Sequence, residues 1–449
     1  FALTVVTVGN FTQATNSVWS GTGTLVKEGS GTLILAGQNS MSGAMTVSTG
    51  KLQLGANGGA TNTPLGTNAG GVTVASGAVL DLSTFSLGGA STYETLNLSG
   101  TGISNNGALT FAASTNNNFG AMTIAANTRI VNSGSGIVTF GGTITAANTI
   151  NMGIGGTGPI TITGVYGATA TTATITKWDS GTLNINAASI TTGLVRINGG
   201  TINYGVNDAL STPALTVAGG TLNLATFNET NIGAVTLIDG SIINSNGTAS
   251  LTSTATYTLE NGTISAVLGG TVVAAIVKNT AGRVILSGDN TFSGTSATIA
   301  INAGYLNLRH NNALGAAASA NTTTILGGAT LELENGITIP SVKAITANGT
   351  GMSRAGAIRS VSGTNSIGAN ITLGTTNVRI NSDSGTLTIP TISGNTFNTI
   401  FGGAGNVTVS GAITTTSGSV TKDGAGTLTL SGNNTYTGTT TLINGTLVA

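Results

Sequence analysis

Two glutamates alternate with two leucines in the run Leu331-Glu332-Leu333-Glu334. Alternation along a strand puts both carboxylates on one face, about 7 Å apart. Paired acids at such a spacing are what a glycosidase uses as acid and base or nucleophile; the plainer reading is two acids on a solubilising face. The single histidine, His310, lies in Arg309-His310-Asn311-Asn312, with no G-x-S-x-G elbow to join it to a nucleophilic serine, and reads as a loop residue. The aspartates Asp81, Asp179, Asp208, Asp239, Asp289, Asp383 and Asp423 are widely separated and form no calcium loop. Lys343, Arg354 and Arg359, with Arg379 further on, make the one basic concentration, either an anionic-glycan contact or scattered solubilising charge. Trp19 and Trp178 are the only tryptophans, thin support for an aromatic sugar groove. Thr-x-Thr pairs such as Thr143/Thr145, Thr161/Thr163 and Thr386/Thr388 recur too irregularly for an ice-binding ladder. These residues predict no catalytic centre, no metal site, no cofactor and no enzyme.

The elements that hold such residues are short. Val72-Thr73-Val74, Leu96-Asn97-Leu98, Leu183-Asn184-Ile185, Leu222-Asn223-Leu224 and Val407-Thr408-Val409 alternate apolar and polar residues, and Gly-Gly, Ser-Gly or Asn-Gly pairs interrupt them. Gly and Asn supply turn conformations, whereas Thr, Val and Ile favour strands. Helical patterning is absent. With 39% hydrophobic and only 6% charged residues, the chain reads as all-β and folded.

Net charge is zero from 13 basic and 13 acidic residues scattered singly, so no basic stripe exists to neutralise phosphates. Nucleic acid and anionic membrane are therefore not expected partners. There is no cysteine, which leaves packing and backbone ladders to stabilise the fold. The longest wholly apolar run, Val272 to Val277, is far too short to cross a bilayer.

One unit recurs. Lys27 to Leu54, Lys278 to Leu308 and Lys422 to Ala449 each open with lysine, carry Asn39, Asn290 or Asn434 two residues before Met41, Phe292 or Tyr436, and place Gly43, Gly294 or Gly438 at the same offset of 16. Units recurring 251 and 395 residues after the first, with no linker between them, predict one continuous solenoid over residues 1–449. Coils of ~20 to 25 residues give on the order of twenty coils, and ~4.8 Å per coil gives a rod on the order of 100 Å long.

The pattern GxGTLxLxGxNxYxGxTxxxxGxL resembles the passenger-associated repeat of bacterial autotransporters, surface proteins of Gram-negative bacteria, and strong resemblance covers roughly a third of the chain. The resemblance implies a right-handed parallel β-helix, an extracellular location on the bacterial surface or in secreted form, and no catalytic residues to carry over. A complete autotransporter ends in a membrane β-barrel, and nothing in this chain reads as one.

The functional expectation is a non-enzymatic structural protein that self-associates head to tail into a filament. Leu3 to Val8 and Leu447-Val448-Ala449 read as strands without a cap, and an open parallel coil exposes N–H and C=O groups that a second copy can satisfy. Leu3, Val5, Val6 and Val8 of one copy are expected to meet Leu442, Leu447 and Val448 of the next. The alternatives are a monomeric adhesin contacting host or matrix glycans or proteins, and a polysaccharide-active β-helix enzyme.

Overall fold

The structure is a computed structural model that describes residues 2–88, 94–113, 116–167, 172–188, 193–211, 213–271, 274–294 and 297–449. Of the apolar run Val272 to Val277, the first two residues lie outside the described ones. The chain divides into two compact units, Phe1–Phe227 and Asn228–Ala449. Both are built from parallel coils, and the chain makes a β-solenoid of about 19 turns. Among the described residues the only helical elements are single 3-10 turns at Ile103–Asn105 and Met352–Arg354, and no helix is long and apolar enough to cross a membrane.

Alternation explains the coil. In Thr32–Leu35, Leu33 and Leu35 point inward while Thr32 and Ile34 stay partly open, and the same in-out pattern recurs in Lys51–Leu54 and Thr182–Ile185. Each strand pairs with the equivalent strand of the next coil, so like residues stack. In the first unit the inward row runs Leu3, Leu25, Met45, Val72, Leu96, Met122, Ile144. In the second it runs Val235, Tyr257, Ile276, Ile299, Thr323, Ile345, Ile371, Ile392, Ile413. Burying one such side chain is worth about 1.5–3 kcal/mol, and long inward rows of this kind stabilise a narrow core.

Coil length varies while the rows stay in register. Leu25, Met45, Val72 and Leu96 are consecutive partners in one row although their spacing in sequence is uneven. The extra residues form outward turns. Phe111 and Phe119 of one coil cluster with Phe140 of the next, with ring centroids 5.1 to 6.4 Å apart.

Candidate functional site

Lysine interrupts the apolar rows once in each repeat. Lys27 stacks between Val5 and Val47, and Lys422 between Phe401 and Leu442. A further lysine, Lys177, stacks between Ile154 and Ile197. Lys278 stacks on Ile301. Five of the six lysines are buried, Lys343 being the fifth, so the lysines are not scattered solubilising charge.

A buried ammonium needs acceptors, and the turns supply them. Lys27 Nζ donates to the carbonyls of Glu28 and Gly29, both at 2.8 Å, and to Thr49 of the next coil at 3.1 Å. Lys177 donates to Trp178 O and Asp179 O, Lys278 to Thr280 O and its hydroxyl, and Lys422 to Gly424 O and to Asn444 O one coil on. Lys343 binds Ala316 O and Ser319 O, each at 2.7 Å. Burial lowers the pKa of each: Lys278 and Lys343 fall to about 8, as does Lys177 despite the opposing charge of Asp179.

The asparagine of the repeat is a clamp between coils. Asn290 Oδ1 accepts the Leu268 N–H at 2.9 Å and its amide donates to Ala313 O at 2.9 Å. Asn39 does the same between Trp19 N–H and Pro64 O, and Asn434 accepts the Ile413 N–H. Lysine and asparagine thus hold turns and coils together.

The paired glutamates differ from expectation. Glu332 is fully buried, because in its row it lies between Asn307 and Arg359. Its carboxylate accepts Arg283 Nη2 at 3.1 Å, Arg359 Nη1 at 3.0 Å and Asn307 Nδ2 at 3.2 Å. Arg359 also donates to Asp383 at 2.8 Å, and Glu334 is bound by Arg309 at 3.0 Å. Arg283 additionally lies 4.8 Å from the centre of the Tyr305 ring. Both acids are therefore partners in a cross-coil ion network, and Glu332 has no opening to a substrate.

His310 is half-exposed in a turn, its Nδ1 accepting the Asn312 N–H at 3.2 Å and lying 3.6 Å from Asp289. The basic concentration is dispersed: Lys343 is interior, Arg359 is paired, and Arg354 sits on the exposed 3-10 turn. Among the described residues no group of His, Cys, Asp or Glu could hold a metal ion. Threonines irregular in sequence do align: Thr46, Thr73, Asn97, Thr123 and Thr145 share one row, and Thr139, Thr161, Asn184, Asn203 and Asn223 another. Asparagine interrupts both rows, so neither is a pure threonine ladder.

Leu3, Val5 and Val6 lie in the strand Leu3–Val6, paired with Leu25–Glu28; Leu3, Val6 and the following Val8 are exposed, and Val5 is half-buried. Leu442 ends Thr440–Leu442 beside Lys422, while Leu447 and Val448 pair with Leu428 and Thr429; Leu442 and Val448 are half-exposed.

These features define a β-solenoid in which repeat residues act as internal struts. A family model described as the passenger-associated-transport-repeat matches residues 25–54, 175–203, 276–308 and 420–449. The chain carries these repeats on a solenoid, consistent with an autotransporter passenger β-helix, and they imply a secreted or surface-exposed protein. Neither the curated proteins nor the solved structures gave a match. The repeat at 175–203 escaped the sequence reading: Lys177, Gly181 and Gly200 keep its opening and close, but twelve residues after the lysine stands Ser189 in place of asparagine. Ser189 lies outside the described residues.

Proposed function

We propose that this chain is a non-enzymatic passenger segment of a bacterial surface, which displays adhesive side faces on a stiff ladder. The observation that supports it is the use of the charged groups. Buried lysines cap turns, and Glu332, Glu334 and Asp423 are each held by arginine, so the paired glutamates that could have served a glycan-cleaving enzyme as proton donors are committed to structure. The test is to couple the purified chain to beads and count their adherence to glycan-bearing cells and to matrix-coated glass, with a parallel assay for reducing ends released from polysaccharide. Adherence without cleavage supports the reading; cleavage, or no adherence to either surface, overturns it.

End-to-end stacking of copies is the second reading, favoured by the exposed apolar residues Leu3, Val6, Val8, Leu442 and Val448 on outermost coils. Negative-stain microscopy across a dilution series tests it. Filaments lost on Val6→Pro, with the melting temperature kept, support stacking; isolated particles at every concentration sink it.

A further inference from the structure

The outward row Arg129, Gly153, Thr176, Arg196 lacks one side chain, at Gly153. A cleft of about 370 Å³ opens there. Gly153 lines it together with Arg129, the amides of Asn105, Asn127 and Asn151, the threonines Thr101 and Thr128, and the half-exposed Trp178.

The repeat fixes the tryptophan. Alternation turns Lys177 inward and Trp178 outward; the lysine ammonium binds Trp178 O, and the Trp178 N–H donates to Ile154 O at 2.7 Å. The indole lies close over the glycine, with Nε1 at 3.6 Å from where a Cβ on Gly153 would be. The other repeats carry Glu28, Asn279 or Asp423 after the lysine, so this aromatic is particular to residues 175–203.

Thr101-Gly102-Ile103-Ser104-Asn105 and Thr350-Gly351-Met352-Ser353-Arg354 form the same 3-10 turn, with φ 76° at both Gly102 and Gly351. After each turn comes an arginine paired to an aspartate at 2.7 Å, Arg129 to Asp179 and Arg379 to Asp423. In the second copy Ile400 stands in register with Arg379, where Gly153 stands with Arg129, and Asp423 follows the lysine where Trp178 does. There an isoleucine takes the place of the glycine and an aspartate that of the aromatic.

The side-chain oxygens of the three asparagines around the cleft are already engaged. Asn127 Oδ1 is taken by the Asn151 N–H, Asn151 Oδ1 by the hydroxyls of Thr174 and Thr176, and Asn105 Oδ1 by Thr101. This leaves the amide NH₂ groups and the indole N–H to face a ligand. The only charge is Arg129, neutralised by Asp179, which accepts from Arg129 Nη2 at 2.7 Å and from the Gly156 N–H at 2.8 Å.

An aromatic face beside several neutral hydrogen-bond donors matches one chemistry: the C–H face of a pyranose stacks on the ring while its oxygens accept from the amides. We propose that this cleft binds a neutral saccharide, with Trp178 as the stacking platform. The inference rests on the adhesive reading above and gives that reading a site.

Saturation-transfer NMR tests it with cellotetraose, maltotetraose and tri-N-acetylchitotriose, against tetragalacturonate as the charged comparison. The expected result is transfer to ring protons of at least one neutral oligosaccharide, unchanged by 0.5 M salt as an uncharged contact requires. Trp178→Ala should weaken it at least ~10-fold, a loss equivalent to about 1.4 kcal/mol, while Trp178→Phe retains most of it and Trp19→Phe all of it. Because Trp178 projects outward, circular dichroism should show both variants folded; should Trp178→Ala unfold, Gly153→Val, which displaces the indole, replaces it. No transfer to any neutral sugar, preference for tetragalacturonate, or indifference to Trp178 and Gly153 overturns the proposal. Bead adherence that persists in Trp178→Ala sinks the cleft alone, whereas absence of adherence in the unaltered chain sinks the adhesive reading.

Discussion

Gly200 lies over the ammonium of Lys177 one coil earlier: a Cβ on Gly200 would fall 2.7 Å from Lys177 Nζ and 2.2 Å from Gly181 O. Gly50 stands so above Lys27 and Gly445 above Lys422, at 2.9 and 2.8 Å. Glycine and lysine are thus one device, the glycine leaving the space in which the ammonium meets the turn carbonyls.

Gly200→Ala should destabilise the chain in two ways. The left-handed backbone, φ +63°, costs a side chain about 1–2 kcal/mol, and the clash adds about 1–3 kcal/mol. Gly77→Ala isolates the first effect, since Gly77 has φ +83° with nothing within 4 Å. Urea melts of the two variants should differ by the clash; equal losses would show that no space is needed above Lys177.

The buried lysines make stability rise with alkalinity. Desolvation holds Lys177, Lys278 and Lys343 at about 8, below the value of about 10.4 in an unfolded chain. Between those values the unfolded chain binds more protons, so each lysine contributes a positive slope of up to about 1.4 kcal/mol per pH unit. Lys278→Met should flatten the rise in urea midpoint between pH 8 and 10. It should also lower stability at pH 7 by about 1–3 kcal/mol, because Thr280 O loses its donor. A pH slope unchanged in the variant would count against the burial effect.

Glu94 acts in the acid range. It is buried, with Thr63 Oγ1 at 3.4 Å, and desolvation raises its pKa from 4.5 to about 7 against the smaller lowering effect of that hydrogen bond. The folded state therefore binds the extra proton between those values, and stability falls as pH rises through them, by roughly 3 kcal/mol at most. Glu94→Gln should raise the melting temperature at pH 8 and leave it nearly unchanged at pH 4. Equal effects at both pH values would refute the shift.

Glu332→Ala leaves Arg283 and Arg359 without their common acceptor and should cost about 3–5 kcal/mol. Glu334→Ala, which removes a half-open partner of Arg309, should cost about 0–1 kcal/mol. Thermal melts of the two single variants distinguish them, and comparable losses would contradict the burial difference.

The sequence by itself determined the coil. Alternation in runs such as Thr32–Leu35 fixes which side chains face in, glycine-rich turns fix where the chain reverses, and the lysine-to-glycine offset of 16 marks the repeat. These are local signals, and local signals suffice for a fold made by repeating one step. What the sequence could not determine is which residues lie above one another, since coils of unequal length separate vertical neighbours by irregular intervals. Arg129 reaches Asp179 across 50 residues, and Trp178 covers Gly153 one coil away. The same stacking buries Glu332, which alternation alone placed on an open face, because Arg359 of the next coil closes over it. Charge pairing, lysine burial and the cleft at Gly153 were therefore decided by the tertiary ladder, whose register is set by hydrogen bonds between coils and not by distance along the chain.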